Sequence, residues 1–439
     1  MKFLMSKENF IKIFYEENSK GNPLEYRFGE EVKEVRDLSE KIRKEKDKQK
    51  KKKLLTQRHE ALKNKFLSIE EWVTKGANIT IEEYPIKIKE KTVYCYKTDP
   101  QDEIGMYLVD KQMQRNLRSA FKIQMNSHKT IASQMICLLA DKFPKYVYRT
   151  DIKRFFETIP HTALREKIIK NTRLDSFTKN TIIGILEQYK KLTDGDVGVP
   201  RGIGLSSCLA EIYMRDFDYK ILDNQDIFFY ARFVDDIVVF STHDVSKYID
   251  DNIQKINLQL NLEKTKLIKQ NREKNITFEY LGYSFQLNDN NPNPQIEISK
   301  RKKEKIIQRV RNAILDYNAN ARKSEWKAWK LLNERLKFLT GNTRLANIKD
   351  NIFVGIYYSN PLVNHDNFLR VLDRKLKCLL HHNIVFPDIV ANKEKEKEKA
   401  LERLKKSYSF LDGFRKRKFY PFSSEQIKRI TKVWRDLRV

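Results

Sequence analysis

The sequence predicts an α+β protein in which helical extensions flank a strand-bearing middle that carries the chemistry. Three observations lead there. In YARFVDDIVVF (Tyr230–Phe240) two apolar, strand-like runs meet at an acidic tip without Gly or Pro. That pattern reads as a hairpin whose turn carries Asp235 and Asp236. In KYVYRTDIKRFF a second short strand ends in Asp151, and residues Lys7–Leu67 at one end and Ser299–Asn320 towards the other read as helical.

The carboxylates decide what the middle is for. Neighbouring anions repel each other and resist desolvation, so such a pair is not placed at a turn for stability. A cation must compensate them, and a divalent metal is the usual one. Asp151 and Asp235 come from separate strand ends about 84 residues apart (235 minus 151). Together they suit two Mg²⁺ ions, with Mn²⁺ as the alternative, arranged for in-line phosphoryl transfer. Asp236 is the weaker ligand candidate and also sets the turn and the local field.

Composition narrows the partners. The 439 residues hold 87 Lys and Arg against 59 Asp and Glu, a net charge of +28. An excess of that size is the footprint of a phosphate-backbone binder. No apolar run approaches membrane-spanning length and MKFLMSKENF has no signal-peptide core, so a soluble, cytoplasmic protein without a membrane partner is expected. Cys95, Cys137, Cys208 and Cys378 are widely spaced in apolar surroundings and form no CxxC pair, which predicts buried, reduced thiols.

Along the chain, Lys41–Lys53 carries nine basic residues against two acidic, either a solvated helix face or a nucleic-acid contact. Ile79–Val93 suggests short strands around Pro85, and Asp110–Ala140 a helix. Lys145–Thr150 is the strand delivering Asp151, and helices are predicted near Leu164–Ile169 and over Ser176–Leu192. His161, after Pro160, is read as packing or capping rather than as a chemical group. The loop DGDVGVPRGIGLSS (Asp194–Ser207) holds four glycines and opens an apolar helix, which suits a substrate loop. A hairpin or loop is expected at Asn288–Pro294, helices at Ser299–Asn320 and Trp326–Leu339, and an exposed charged helix at Lys393–Lys399. FRKRKFYPF (Phe414–Phe422) mixes cations with stacking surfaces.

With these residues in place, the chain resembles a bacterial reverse transcriptase of the retron and group II intron kind over Ile79–Leu345. YRTDIKRFF, VPRGIGLSS, FVDD, NLEKTK and FEYLGYSF stand in the order of that family's blocks. The resemblance implies a right-hand polymerase fold: a basic helical N-terminal extension (1–75), fingers and palm with a four-stranded RRM-like sheet (76–290), a helical thumb (291–345) and a C-terminal helical extension (346–439). Phe233 replaces the family's usual tyrosine, and Arg201 its usual glutamine. Arg201 and the segment Phe338–Val363 are similar to abortive-infection and defence-associated (antiphage) members.

The resemblance also implies roles. Asp151, Asp235 and Asp236, with the backbone carbonyl of Ile152, would hold the metals. Lys264 would protonate the leaving pyrophosphate, with Lys266 as its competitor. Phe156 would be the ring that excludes a ribose 2′-hydroxyl, with Phe155 beside it in the core. Arg201 and Gly202 would line the nucleotide pocket, and Lys97, Arg115 and Arg118 would meet the triphosphate. The implied partners are dNTPs, a DNA product and an RNA template, a dedicated non-coding RNA among the candidates; a partner protein or homo-oligomer stays open. The expected activity is RNA-directed DNA synthesis in antiphage defence. Template-independent or protein-primed synthesis, a non-catalytic nucleic-acid scaffold and retroelement mobility are the alternatives.

Overall fold

A computed structural model gives the structure of the chain and describes residues 4–20, 23–84, 92–98, 102–124, 126–141, 143–270, 276–288, 291–345, 352–386 and 394–435. The chain divides into two compact units, Met1–Asn126 with Lys145–Lys269, and Ser127–Pro144 with Gln270–Val439.

The first unit opens with helices α1 (Lys7–Ser19), α2 (Leu24–Arg27), α3 (Lys33–Lys44) and α4 (Lys48–Thr74). Phe10, Phe14, Leu62 and Phe66 from α1 and α4 are fully buried and join one core with α5 (Glu103–Ala120). A two-stranded ribbon follows α4, with β1 (Thr80–Tyr84) antiparallel to β2 (Val93–Lys97). The sheet that matters for chemistry is four-stranded, in the order β4 (Ile227–Phe233), β5 (Asp236–Ser241), β3 (Lys145–Asp151), β6 (Lys266–Gln270). Strand β5 lies inside it, and Ile237, Val238, Val239 and Phe240 are all fully buried. A strand covered on both faces reads as a continuous apolar run instead of an alternating one. Helices α7 (Phe155–Thr158), α8 (His161–Lys170), α9 (Ser176–Thr193), α10 (Gly204–Leu222) and α11 (Ser246–Lys255) complete the unit.

In the second unit a three-stranded sheet, β7 (Ile276–Tyr280), β8 (Tyr283–Asn288) and β9 (Asn291–Ile298), packs against α6 (His128–Ala140) through β9. Pro292 and Pro294 fall in β9, an edge strand, where a missing backbone donor is tolerated. Helices α12 (Lys300–Ala321) and α13 (Glu325–Thr340) pack on each other, and α14 (Asn367–Asn383) lies against α12. Short strands β10 (Asn342–Arg344) and β11 (Phe353–Gly355) and the helices Glu394–Ser407, Phe410–Arg415 and Ser424–Arg435 finish the chain.

Two expectations change. The helix predicted over Asp110–Ala140 is two helices, because Lys122 takes a left-handed φ of 51° and Ser127 caps a new start by accepting from Thr130 N. Only one of the four thiols is buried: Cys208 is enclosed, Cys95 half-buried, and Cys137 and Cys378 exposed. Apolar neighbours in sequence did not reveal which side of its helix or, for Cys95, of its strand each thiol occupies. The residues around Pro85, the tip of the 288–294 hairpin, part of Phe338–Val363 and Lys393 lie outside the described residues.

Candidate active site

The site starts from strand register. Asp151 is the last residue of β3 and pairs with Asp236, the first residue of β5; Phe233 ends β4 opposite the same Asp236. The β4–β5 turn therefore has only Val234 and Asp235. Val234 carries a φ of 59°, a left-handed conformation that a β-branched residue adopts at a cost. That bend brings the three carboxylates Asp151, Asp235 and Asp236 within 4.8 Å of one another.

Each carboxylate has a distinct setting. Asp151 is buried, accepts from Lys264 Nζ at 2.9 Å and from Asn261 Nδ2 at 3.3 Å, and its carbonyl accepts from Asn261 N. Burial raises the Asp235 carboxyl above the ordinary Asp range, and the Asp151 charge adds to the rise. Burial and the adjacent Asp235 charge push Asp236 up to about 6, against the pull of Arg149 at 3.9 Å. Three oxygen donors this close, two of them resisting ionisation, fit a hard divalent cation that would supply the missing positive charge.

The glycine-rich loop is stitched beside this cluster. Val199 N donates to Phe156 O, Gly198 N to Ile159 O, and Tyr94 N to Arg201 O, at 2.6–2.7 Å. Gly202 has a φ of +104°, and a Cβ there would lie 2.4 Å from Tyr94 O, so close approach to β2 requires glycine. Arg201 donates from Nη2 to Glu157 Oε2 at 2.9 Å, and its guanidinium lies 5.2 Å from the Phe156 ring centroid. Its charge also favours ionised Asp235. Phe155 is buried in the core, whereas Phe156 is half-buried beneath Arg201.

The structure thus gathers Asp151, Asp235, Asp236 and Lys264, with Ile152 N donating to Asp235 O at 3.1 Å. Lys264, expected to protonate the leaving pyrophosphate, is ion-paired to Asp151 at 2.9 Å. The fingers candidates are engaged or placed differently. Arg115 pairs with Glu16 on α1, Arg118 hydrogen-bonds Cys208 on α10, and Lys97 is exposed on β2. Lys266 is exposed at the start of β6.

Sequence reasoning missed Arg232. Its side chain is 4% exposed, forks onto Glu211 (2.7 and 3.0 Å) and Asp218 (2.7 and 2.9 Å) of α10, and donates to Val234 O at 2.9 Å. It thereby ties the strained turn to α10. Glu211 and Asp218, two acids seven residues apart in an apolar helix, share one helix face and were the available signal.

Residues 106–285 match the family model described as reverse transcriptase (RNA-dependent DNA polymerase). Residues 106–285, less than half of the chain, are thus similar to a reverse transcriptase domain. The match spans Asp151, Phe156, Arg201, Asp235, Asp236 and Lys264. Among solved structures the chain is similar to apo telomerase from Candida tropicalis truncated from the C-terminal domain (16% identity, TM-score 0.36, covering 52% of this chain and 59% of that one). It is similar also to Candida albicans telomerase in complex with a TWJ fragment of telomeric RNA (13%, 0.35, 76% and 68%). Apo Candida tropicalis telomerase gives 14% identity and a TM-score of 0.36, covering 84% of this chain and 71% of that one. The chain therefore spans 59% of the length of the first of these structures. No curated protein matches the chain. No helix among the described residues is long and apolar enough to cross a membrane.

Proposed function

We propose that the chain copies RNA into DNA, adding dNTPs at a centre built on Asp151, Asp235 and Asp236. The observation that carries this reading is the closeness of the three carboxylates at paired strand ends inside the residues similar to a reverse transcriptase domain. Asp151 and Asp235 would be the principal metal ligands, with Asp236 and the Ile152 carbonyl as the lesser ones. Bound Mg²⁺ (or Mn²⁺) would supply the charge that activates a primer 3′-hydroxyl and stabilises the leaving pyrophosphate. Lys264, released from Asp151, is then free to meet the pyrophosphate. Phe156 offers the incoming sugar a flat wall, and Arg201 presents a cation at its edge. In this reading residues 76–290 supply fingers and palm and 291–345 the thumb. The antiphage setting is supported by the likeness of VPRGIGLSS and Phe338–Val363 to defence-associated enzymes.

The test is primer extension by the full chain on an RNA template, with Mg²⁺ and dNTPs, beside Asp235→Ala and Asp151→Ala. Losing one ligand is expected to abolish incorporation while melting temperature and RNA binding persist. Undiminished synthesis by either variant removes the assignment. Sequencing DNA made with and without added RNA separates templated from template-independent synthesis. Phage plating of cells carrying wild type or Asp235→Ala tests the defence role.

A further inference from the structure

The basic-aromatic run near the C-terminus folds into a surface of the second unit. Strand β10 pairs antiparallel with β11, placing Arg344 opposite Phe353. Its other edge takes residues 418–420: Asn342 N donates to Lys418 O and Tyr420 N to Asn342 O, both at 2.8 Å, with Asn342 and Phe419 bridged in parallel. The resulting small sheet carries a row of rings. Phe353 stacks on Tyr358 with centroids 5.0 Å apart and planes at 29°, and Phe419 meets Phe353 at 6.1 Å.

These rings are open to solvent. Phe353 is 38%, Tyr358 37% and Phe419 45% exposed, while Ile356 and Phe414 from the same segments are buried. The segments therefore have core-facing positions and present the three rings outward all the same. Charge around them is not balanced. Asp366 is held by Arg415, and Asp412 by Lys416 and Lys418. Arg344 is exposed without an acidic partner among the described residues, and Arg417 lies 4.4 Å over the Tyr357 ring, also exposed. Exposed π-faces in a row with uncompensated arginines suit an unpaired polynucleotide, whose bases stack and whose phosphates need cations. A purely apolar partner would leave those cations without counter-charge.

We propose that the β10–β11 face, with Phe353, Tyr358 and Phe419 as stacking surfaces and Arg344 and Arg417 as phosphate contacts, is a binding site for single-stranded nucleic acid. This site belongs to the second unit and needs no catalysis at the carboxylates.

The full chain, carrying Asp235→Asn so that no primer is extended, is irradiated with a 12-nucleotide oligouridine bearing 4-thiouridine. Cross-linked peptides are then mapped by mass spectrometry. Cross-links at Phe353, Tyr358 or Phe419 are expected; cross-links only elsewhere overturn the site. Fluorescence anisotropy at raised salt, where non-specific phosphate binding is weakened, gives the second readout. Phe353→Leu with Phe419→Leu is expected to weaken oligouridine binding by about tenfold, and Phe353→Tyr with Phe419→Tyr to retain it. If the leucine variant binds as well as wild type, the rings serve apolar docking instead and the proposal fails. It also fails if wild type self-associates in sedimentation and the leucine variant does not, because a second copy then covers the face.

Discussion

In the proposed reading, the single ring of Phe156 would separate two classes of substrate. It is half-buried under the Arg201 guanidinium, while its neighbour Phe155 is in the core. A ring that selects by excluded volume contributes repulsion against the larger sugar and little attraction for the smaller one. Phe156→Val is therefore expected to raise rNTP use relative to dNTP by about tenfold or more. Competition between dNTP and rNTP in primer extension measures it, and an unchanged ratio would return the role to Phe155 or to neither. Asp236 gives a second expectation, on stability. Its carboxyl is raised to about 6, so folding favours the protonated form. At pH 7 the metal-free native state holds the charge at a cost of about 2 kcal/mol. Replacing it by the neutral isostere in Asp236→Asn should raise the melting temperature in EDTA at pH 7. As pH falls below 6, wild type takes up the proton and the advantage shrinks, nearly vanishing at pH 4. A melting difference independent of pH would mean that Asn acts through packing and not through charge.

Between β4 and β5 the constraint is a whole element, the hairpin held by Arg232. The guanidinium joins Val234 O to Glu211 and Asp218, so turn, strand and helix share one buried ion network. Arg232→Lys keeps the charge but loses the fork that meets two carboxylates and a carbonyl at once. Support of this kind for a metal ligand is expected to change metal affinity or activity by about tenfold to a hundredfold. The check is a Mg²⁺ titration of primer extension at a temperature where the variant remains folded. Wild-type Mg²⁺ dependence in that variant would show that the turn holds itself. The hairpin, its Asp-Asp tip and the strand ending in Asp151 were legible because they depend on local patterning. Arg232 was not, since its partners lie on α10 and only folding brings them to β4. The same limit explains Arg115: its residue type suits a phosphate, yet Glu16, 99 positions away, takes its charge. Lys264 shows a third case, in which the sequence named the residue but not its partner Asp151.

For the molecule as a whole, the question is where a net charge of +28 is concentrated and what compensates it. One concentration is the corner between α3 and α4, where Lys50, Lys51, Lys52 and Lys53 are exposed. The first turn of α4 contains no acidic residue, and only Asp47 caps it. Lysines at a helix N-terminus oppose the positive end of the helix dipole, and like charges three and four apart repel. Helix stability thus gives no reason for this placement, whereas a polyanion would relieve both penalties. RNA binding by the full chain should therefore weaken steeply with salt: six or more phosphate contacts on a single strand give a log–log slope of about −4 or steeper. Replacing Lys50, Lys51, Lys52 and Lys53 together by Gln should flatten that slope by up to about 3, the share of four phosphate contacts. Primer extension on a short, pre-annealed duplex at low salt should change much less, because these lysines are not among the groups gathered around Asp151 and Asp235. Anisotropy across a salt series measures the slope in both proteins. An unchanged slope in the variant would make this corner a solvated helix face and move the phosphate contacts to the remaining basic surface.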